Sequence, residues 1–256
     1  MKKLKWISVI IAAFVIFAIA SVGNNKKEAE NSSVSTETIA VETFAGNTEK
    51  EIESQDVGMQ LAIPDYSGQA VIEVNGDDPF FTDEERIYSG TYISLSELDG
   101  LGRCGVAKAC VGSETRTYED RGDISHIYPS GWKQHKLSDG SYLYNRSHLL
   151  MYALTGLNDD ERNLITGTRQ FNASTDKGML AYENQVLWVV DNFNAHVLYR
   201  VTPYYDGNNL VAKGVLMEAY CYEYPEECSF CVFVYNVQDG VEIDYSTGES
   251  YEASIS

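Results

Sequence analysis

From about residue 63 onward, apolar and polar positions fall into short runs separated by glycines. Residues 71–74 alternate weakly. Residues 90–95, Gly-Thr-Tyr-Ile-Ser-Leu, alternate more clearly, as a strand with one buried face does. The small residues of 102–112 predict a strand or loop entering the core. Tyr142-Leu143-Tyr144 predicts a strand and residues 163–168 a second short extended piece. The period then changes: Met179, Val186, Leu187 and Val190 share one face of a helix predicted over 176–191. Glu183 falls on that same face. An acid inside an apolar stripe either has a partner, a metal or a water shell, or it sits at the stripe's edge and reaches solvent. Residues 196–201, 210–221 and 231–237 are β-rich, with Asp206-Gly207 between the first two, and predict an antiparallel meander. Strand, strand and helix with sheet on either side make an α+β arrangement.

The preceding residues have a different composition. Lys2, Lys3 and Lys5 lead into an uncharged apolar run, residues 6–20, that ends Ala18-Ile19-Ala20. This predicts a signal peptide or a retained membrane anchor over residues 1–22, and a protein that is secreted or held at the cell surface. The run is short for a full membrane span, which takes about 20 apolar residues. Residues 23–60 are rich in Glu, Ser, Thr, Asn and Ala, with Phe44 their one aromatic, and predict a disordered acidic tether. Residues 61–248 are the expected folded domain and 249–256 a tail.

The net charge of −19 argues against broad affinity for nucleic acid, but its distribution changes that picture. Ten Lys and Arg meet nine Asp and Glu between Arg103 and Lys177, whereas residues 214–256 carry acids and no Lys or Arg. A polyanion would dock in the middle of the chain, if anywhere; the plainer reading of these charges is ordinary solvated surface. Five cysteines cannot all pair within one chain. Cys104 with Cys110, and one pair among Cys221, Cys228 and Cys231, are disulfide candidates in an exported protein; the alternative is buried thiols. Zinc at the C-x-x-C of Cys228 and Cys231 lacks a second ligand pair.

The densest chemistry lies in Tyr144-Asn145-Arg146-Ser147-His148-Leu149-Leu150, followed by Asn163, Arg169 and Asn172. A histidine to activate water, a cation for phosphate charge and amide oxygens for a hard metal are the parts of a metal-assisted phosphodiester hydrolase. His126, His135 and His196 lack this context and read as structural or surface residues.

Asn145-Arg146-Ser147-His148-Leu149, the segment from Asn163 to Arg169, and Asn172 resemble the DNA/RNA non-specific endonucleases with a ββα-metal site. They are similar above all to the secreted DNases and DNA-uptake nucleases of Gram-positive bacteria. The resemblance covers roughly residues 63–247, including 101–107, 129–132 and 232–237. It implies an antiparallel β-sheet core carrying the ββα-metal motif, and hydrolysis of DNA without base recognition, the choice between DNA and RNA being left open by the sequence. His148 corresponds to the general base. Asn172 corresponds to the one direct protein ligand of Mg²⁺, which Mn²⁺ can replace. Asn163 corresponds to the asparagine that orients the histidine or the phosphate, Arg146 and Arg169 to phosphate-binding cations, and Glu183 to the helical glutamate that holds metal-bound water. Each has a plainer reading: helix cap for Asn172, turn residue for Asn163, ion-pair partner for Arg169. The wider family has Asp and Gly where this chain has Asn145 and Ser147. The membrane is a partner only through an uncleaved N-terminal segment. Rival readings are an inactive nucleic-acid-binding surface protein and an antibacterial nuclease toxin; the toxin alone predicts an inhibitor protein.

Overall fold

Three long β-strands fill the centre of the molecule because nearly every position in them is covered on both faces. They are β6 (Val197–Tyr204), β7 (Gly214–Cys221) and β8 (Ser229–Tyr235), paired antiparallel in sequence order. The shorter strands β1 (Val71–Glu73), β2 (Tyr92–Leu95) and β3 (Ala107–Val111) complete a six-stranded sheet of order β1-β8-β7-β6-β3-β2. Every pairing in it is antiparallel. The computed structural model describes residues 61–253, which fall within the compact unit Met59–Ser256. The expected signal or anchor (1–22) and tether (23–60) lie outside the described residues.

One sheet face, with Tyr199, Val201, Val215, Met217 and Val232, packs against Phe171, Val186, Val189 and Val190 of the helices. The other face, with Ile72 of β1 beside Leu216, Cys231, Phe233 and Tyr235, packs against Leu61, Ile63, Val74 and Phe80. Strands covered on both sides lose the simple two-residue alternation. On that second face Arg200 and Glu218 stand opposite each other in register. Arg200 Nε and Nη2 donate to the Glu218 carboxylate at 2.7 and 2.8 Å, and Phe80 N donates to it at 2.9 Å. The guanidinium also lies 4.7 Å from the Phe81 ring centre.

A separate hairpin pairs β4 (Tyr144–His148) with β5 (Leu164–Thr168). Two short helices, α1 (Tyr152–Thr155) and α2 (Arg169–Ala173), accompany it, and α3 (Met179–Phe193) crosses behind. The α+β class and the meander agree with the sequence. The motif is itself the strand β4, not a segment that follows one. The buried face of α3 uses Val189, while Leu187 is only half-buried. The expected tail is shorter than 249–256: Ser250–Glu252 forms β10, which pairs with β9 (Val241–Ile243).

All five cysteines are free and buried. The Cys104 thiol donates to the backbone oxygens of Glu161 and Leu164 at 3.3 and 3.2 Å. Alternation along β8 sends Cys228 into the helix-side core and Cys231 into the opposite layer, so the C-x-x-C does not converge.

His196 ties the start of β6 to two loops. Its Nδ1 lies 2.7 Å from Glu223 and its Nε2 3.4 Å from Glu114. Burial alone would lower its pKa, but the hydrogen bonds the protonated ring donates to Glu223 and Glu114 outweigh that and hold it above the ordinary imidazole value. A raised folded-state pKa stabilises the fold below the unfolded value and ceases to do so as pH rises through the folded one. His196→Gln is therefore expected to melt below wild type in acid, with a gap that closes in alkali. A constant gap in Tm across pH would show that the contribution is packing, not charge.

Candidate active site

The β4–β5 hairpin is rigid because side chains complete its ladder. Asn163, fully buried, accepts from Leu150 N at 2.9 Å through Oδ1 and donates from Nδ2 to Leu150 O at 3.0 Å. Its own carbonyl accepts from Leu149 N at 2.9 Å. The amide side chain stands in for a strand neighbour and extends the pairing just past His148. Asn236, also fully buried, fastens the hairpin to the main sheet. It accepts from Thr168 N at 2.9 Å and donates to Thr166 O and Ala212 O at 2.9 and 3.0 Å. Thr168 ends β5 and caps α2, its hydroxyl accepting from Phe171 N at 3.0 Å. Ser147 fills the space above Gly167, where an added Cβ would lie 2.2 Å from Ser147 Oγ and 2.7 Å from the Phe171 ring.

Gly178 brings α3 onto α2. A Cβ there would meet Gln170 O at 2.4 Å and Phe171 O at 2.6 Å, so only glycine allows this approach. The crossing sets Glu183 of α3 opposite Asn172 of α2. With His148 at the end of β4 and Arg121 from the irregular segment between β3 and β4, they line a cavity of about 170 Å³, completed by Met151, Ala173 and Leu180.

His148 is 5% exposed, and its Nε2 lies 2.9 Å from Asn158 O. A carbonyl only accepts, so Nε2 carries the proton and Nδ1 keeps the lone pair. Burial lowers the imidazole pKa and the Arg121 charge lowers it further, against the Asn158 bond, which raises it. Asn172 is half-buried, and among the described residues its side-chain amide bonds to no other protein group.

Two of the expected cations are elsewhere. Arg146 donates from Nε to Ile127 O and from Nη2 to Ser125 O at 2.6 Å, and its guanidinium lies 4.2 Å from the Trp132 ring centre and 5.5 Å from that of Tyr128. It is a strut for the loop that carries Arg121. Arg169 opens into a neighbouring cleft with Lys177, Asp176 and Asp239. Asn163 has both ends of its amide bound to Leu150 and does not line the cavity. The cation in the cavity is Arg121, which no motif marks; its signal is its place in a long loop without secondary structure, a frequent sign of function. Other basic residues of the middle segment are committed: Arg103 to Asp99, Arg116 to Asp191, Arg162 to Asp160 and Glu97.

A family model for the DNA/RNA non-specific endonuclease matches residues 84–221, more than half of the chain and all of the cavity's residues. The chain belongs to that family. A deoxyribonuclease of Streptococcus dysgalactiae subsp. equisimilis is 36% identical over 110 residues, 42% of this chain. That match spans about a third of the streptococcal protein's length (33%). Among solved structures, NucA from Streptococcus agalactiae with a bound magnesium ion superposes with a TM-score of 0.65 at 27% identity, over 74% of this chain and 89% of that one. Sda1 nuclease with a bound zinc ion shares the fold, with a TM-score of 0.60 at 24% identity, over 72% of this chain and 97% of that one.

The family implies a divalent metal, and the donors present suit a hard one. The Asn172 amide oxygen and the Glu183 carboxylate are oxygen donors in one cavity, and Mg²⁺ takes few protein oxygens and keeps water. Among the described residues, no three His, Cys, Asp or Glu are grouped to hold a metal ion.

Glu183 is the least comfortable member. Desolvation pushes its carboxyl up to about 8, against the Arg121 charge, which lowers it. Because the folded value lies above the unfolded 4.5, folding takes up a proton between them, and stability falls as pH rises through that window. Glu183→Gln removes this penalty. In EDTA at about pH 9 the variant is expected to melt on the order of 5 °C above wild type, with the gain vanishing toward about pH 4. Identical melting at both pH values would show that the carboxyl is not desolvated.

Proposed function

We propose that this chain is an exported, Mg²⁺-dependent endonuclease that hydrolyses phosphodiester bonds of DNA, and of RNA as a second substrate, without reading bases. The observation that carries this is the convergence of His148, Asn172, Glu183 and Arg121, from four separate segments, on one cavity. His148 takes a proton from water at Nδ1 while Asn158 O holds Nε2–H and fixes the ring. The depressed pKa keeps the imidazole neutral, and so able to act as a base, at neutral pH. The water oxygen bonds to phosphorus, the bond to the 3′ oxygen breaks, and the 5′ phosphate stays on one fragment. Asn172 Oδ1 would hold the Mg²⁺, which Mn²⁺ can replace; the ion supplies charge for the phosphate and the departing oxygen. Arg121 offsets charge that builds on the phosphate. Glu183 orients water at the cavity wall, where burial pushes its carboxyl up to about 8 and the Arg121 charge opposes that rise. Phosphate and metal contacts read no sequence. The basic start and apolar run of residues 1–20 support export to the medium or the cell surface.

Supercoiled plasmid incubated with the protein and Mg²⁺ is expected to be nicked and then degraded, and EDTA is expected to stop it. Intact plasmid after exposure to folded protein, across several divalent metals and pH values, would overturn the reading in favour of an inactive nucleic-acid-binding protein.

A further inference from the structure

Asn158 lies in the loop after α1 and touches the site twice. Its carbonyl accepts from His148 Nε2 at 2.9 Å. Its side-chain Oδ1 accepts from Gly122 N at 3.1 Å, one residue from Arg121. The fit is close on that side: a Cβ on Gly122 would lie 2.8 Å from Asn158 Nδ2. The same stretch is steadied by Tyr152, whose hydroxyl donates to Asp120 O at 3.3 Å and whose ring centre lies 5.7 Å from the Arg121 guanidinium. Arg146 holds the loop's far side at Ser125 and Ile127.

We propose that Asn158 is a positioning residue that sets Arg121 relative to His148, its backbone fixing the base and its side chain fixing the loop that carries the cation. Resting on the phosphodiesterase reading above, this makes one residue the common reference for two groups that the chain delivers from distant segments. The backbone half survives any substitution and the side-chain half does not, so the two are separable. A displacement of a transition-state contact by about 1 Å lowers rates on the order of a hundredfold.

The test is a double-mutant cycle on the full-length protein, with plasmid cleavage in Mg²⁺ as the first readout. Asn158→Ala is expected to lower kcat by about 10- to 100-fold with KM little changed. In an Arg121→Ala background it should produce no further loss, because its target is gone. Asn158→Asp keeps an acceptor for Gly122 N and is expected to restore most of the rate. Affinity for a labelled duplex oligonucleotide, measured by fluorescence anisotropy on the same variants with His148→Ala added, is the second readout. If wild type binds but does not cleave, the nuclease reading fails and the cycle is read from affinity alone. Wild type that neither cleaves nor binds overturns both. Losses that add in the two backgrounds, a silent Asn158→Ala in both readouts, or an aspartate no better than alanine would each overturn the proposal.

Discussion

His148→Ala is expected to reduce phosphodiester cleavage by roughly 10²- to 10⁴-fold, the contribution of a positioned general base. The ring is buried, its Nε2 proton is committed to Asn158 O, and alanine offers no other group to accept a proton from water. Burial and the Arg121 charge hold its pKa below the ordinary imidazole value, so the base form persists to lower pH. The acid limb of the rate profile should therefore lie below the ordinary imidazole value of 6.5. The fold has little stake in the ring. It makes one hydrogen bond to a loop carbonyl, whereas the hairpin is held by Asn163 and Asn236. Measuring plasmid cleavage and thermal unfolding together separates the cases. Lost activity with a Tm within a few degrees of wild type identifies the base; equal loss of folded protein would make His148 a structural residue.

Arg200→Met is expected to destabilise the domain by about 3–5 kcal/mol, lowering Tm on the order of 10 °C. Methionine keeps an apolar stem beside Phe81 but withdraws both donors from Glu218, whose side chain is 1% exposed. What remains is an ionised carboxylate inside the sheet layer with Phe80 N as its hydrogen-bond donor. Isolated buried charge is the expensive state, not the loss of attraction. Glu218→Leu added to Arg200→Met should therefore recover most of the loss. Urea unfolding of the wild type, the single variant and the double variant checks both halves. A single variant within about 1 kcal/mol of wild type would contradict the argument. Activity per folded molecule is expected to be unchanged, because the pair lies on the sheet face away from α3.

Much of the site could be read from residue types. His148, Asn172 and Glu183 stand out in the sequence as side chains a metal-assisted phosphodiesterase would need, and the structure brings all three to one cavity. The runs of β6 to β8 were legible as a meander from their β-rich composition, because strands buried on both faces are nearly continuous apolar runs. What could not be read is what depends on backbone atoms or on where a long side chain bends. Asn158 contributes a carbonyl, which every residue has. Arg146 shares a strand with His148 yet turns away to Ser125 and Ile127, and Arg169 opens on another cleft. Arg121 sits in a stretch without periodicity, so its arrival beside His148 is decided by contacts far along the chain. Of the two cysteine readings, buried thiols hold, and the pairing of Cys228 with Cys231 does not, because the two lie in opposite core layers.

The contact between Ser147 and Gly167 has a consequence for how such chains can diverge. Ser147 occupies the volume that any side chain at Gly167 would need, so the two positions share a single allowance of space across the hairpin. Glycine at the first position clears the nearest obstacle, and a side chain at the second then still needs the Phe171 ring, 2.7 Å from its Cβ, to give way. A lineage that takes serine first has closed that route until the serine reverts. The two sites then evolve as one character, and the order of the two changes, not only their sum, decides which ancestors were viable.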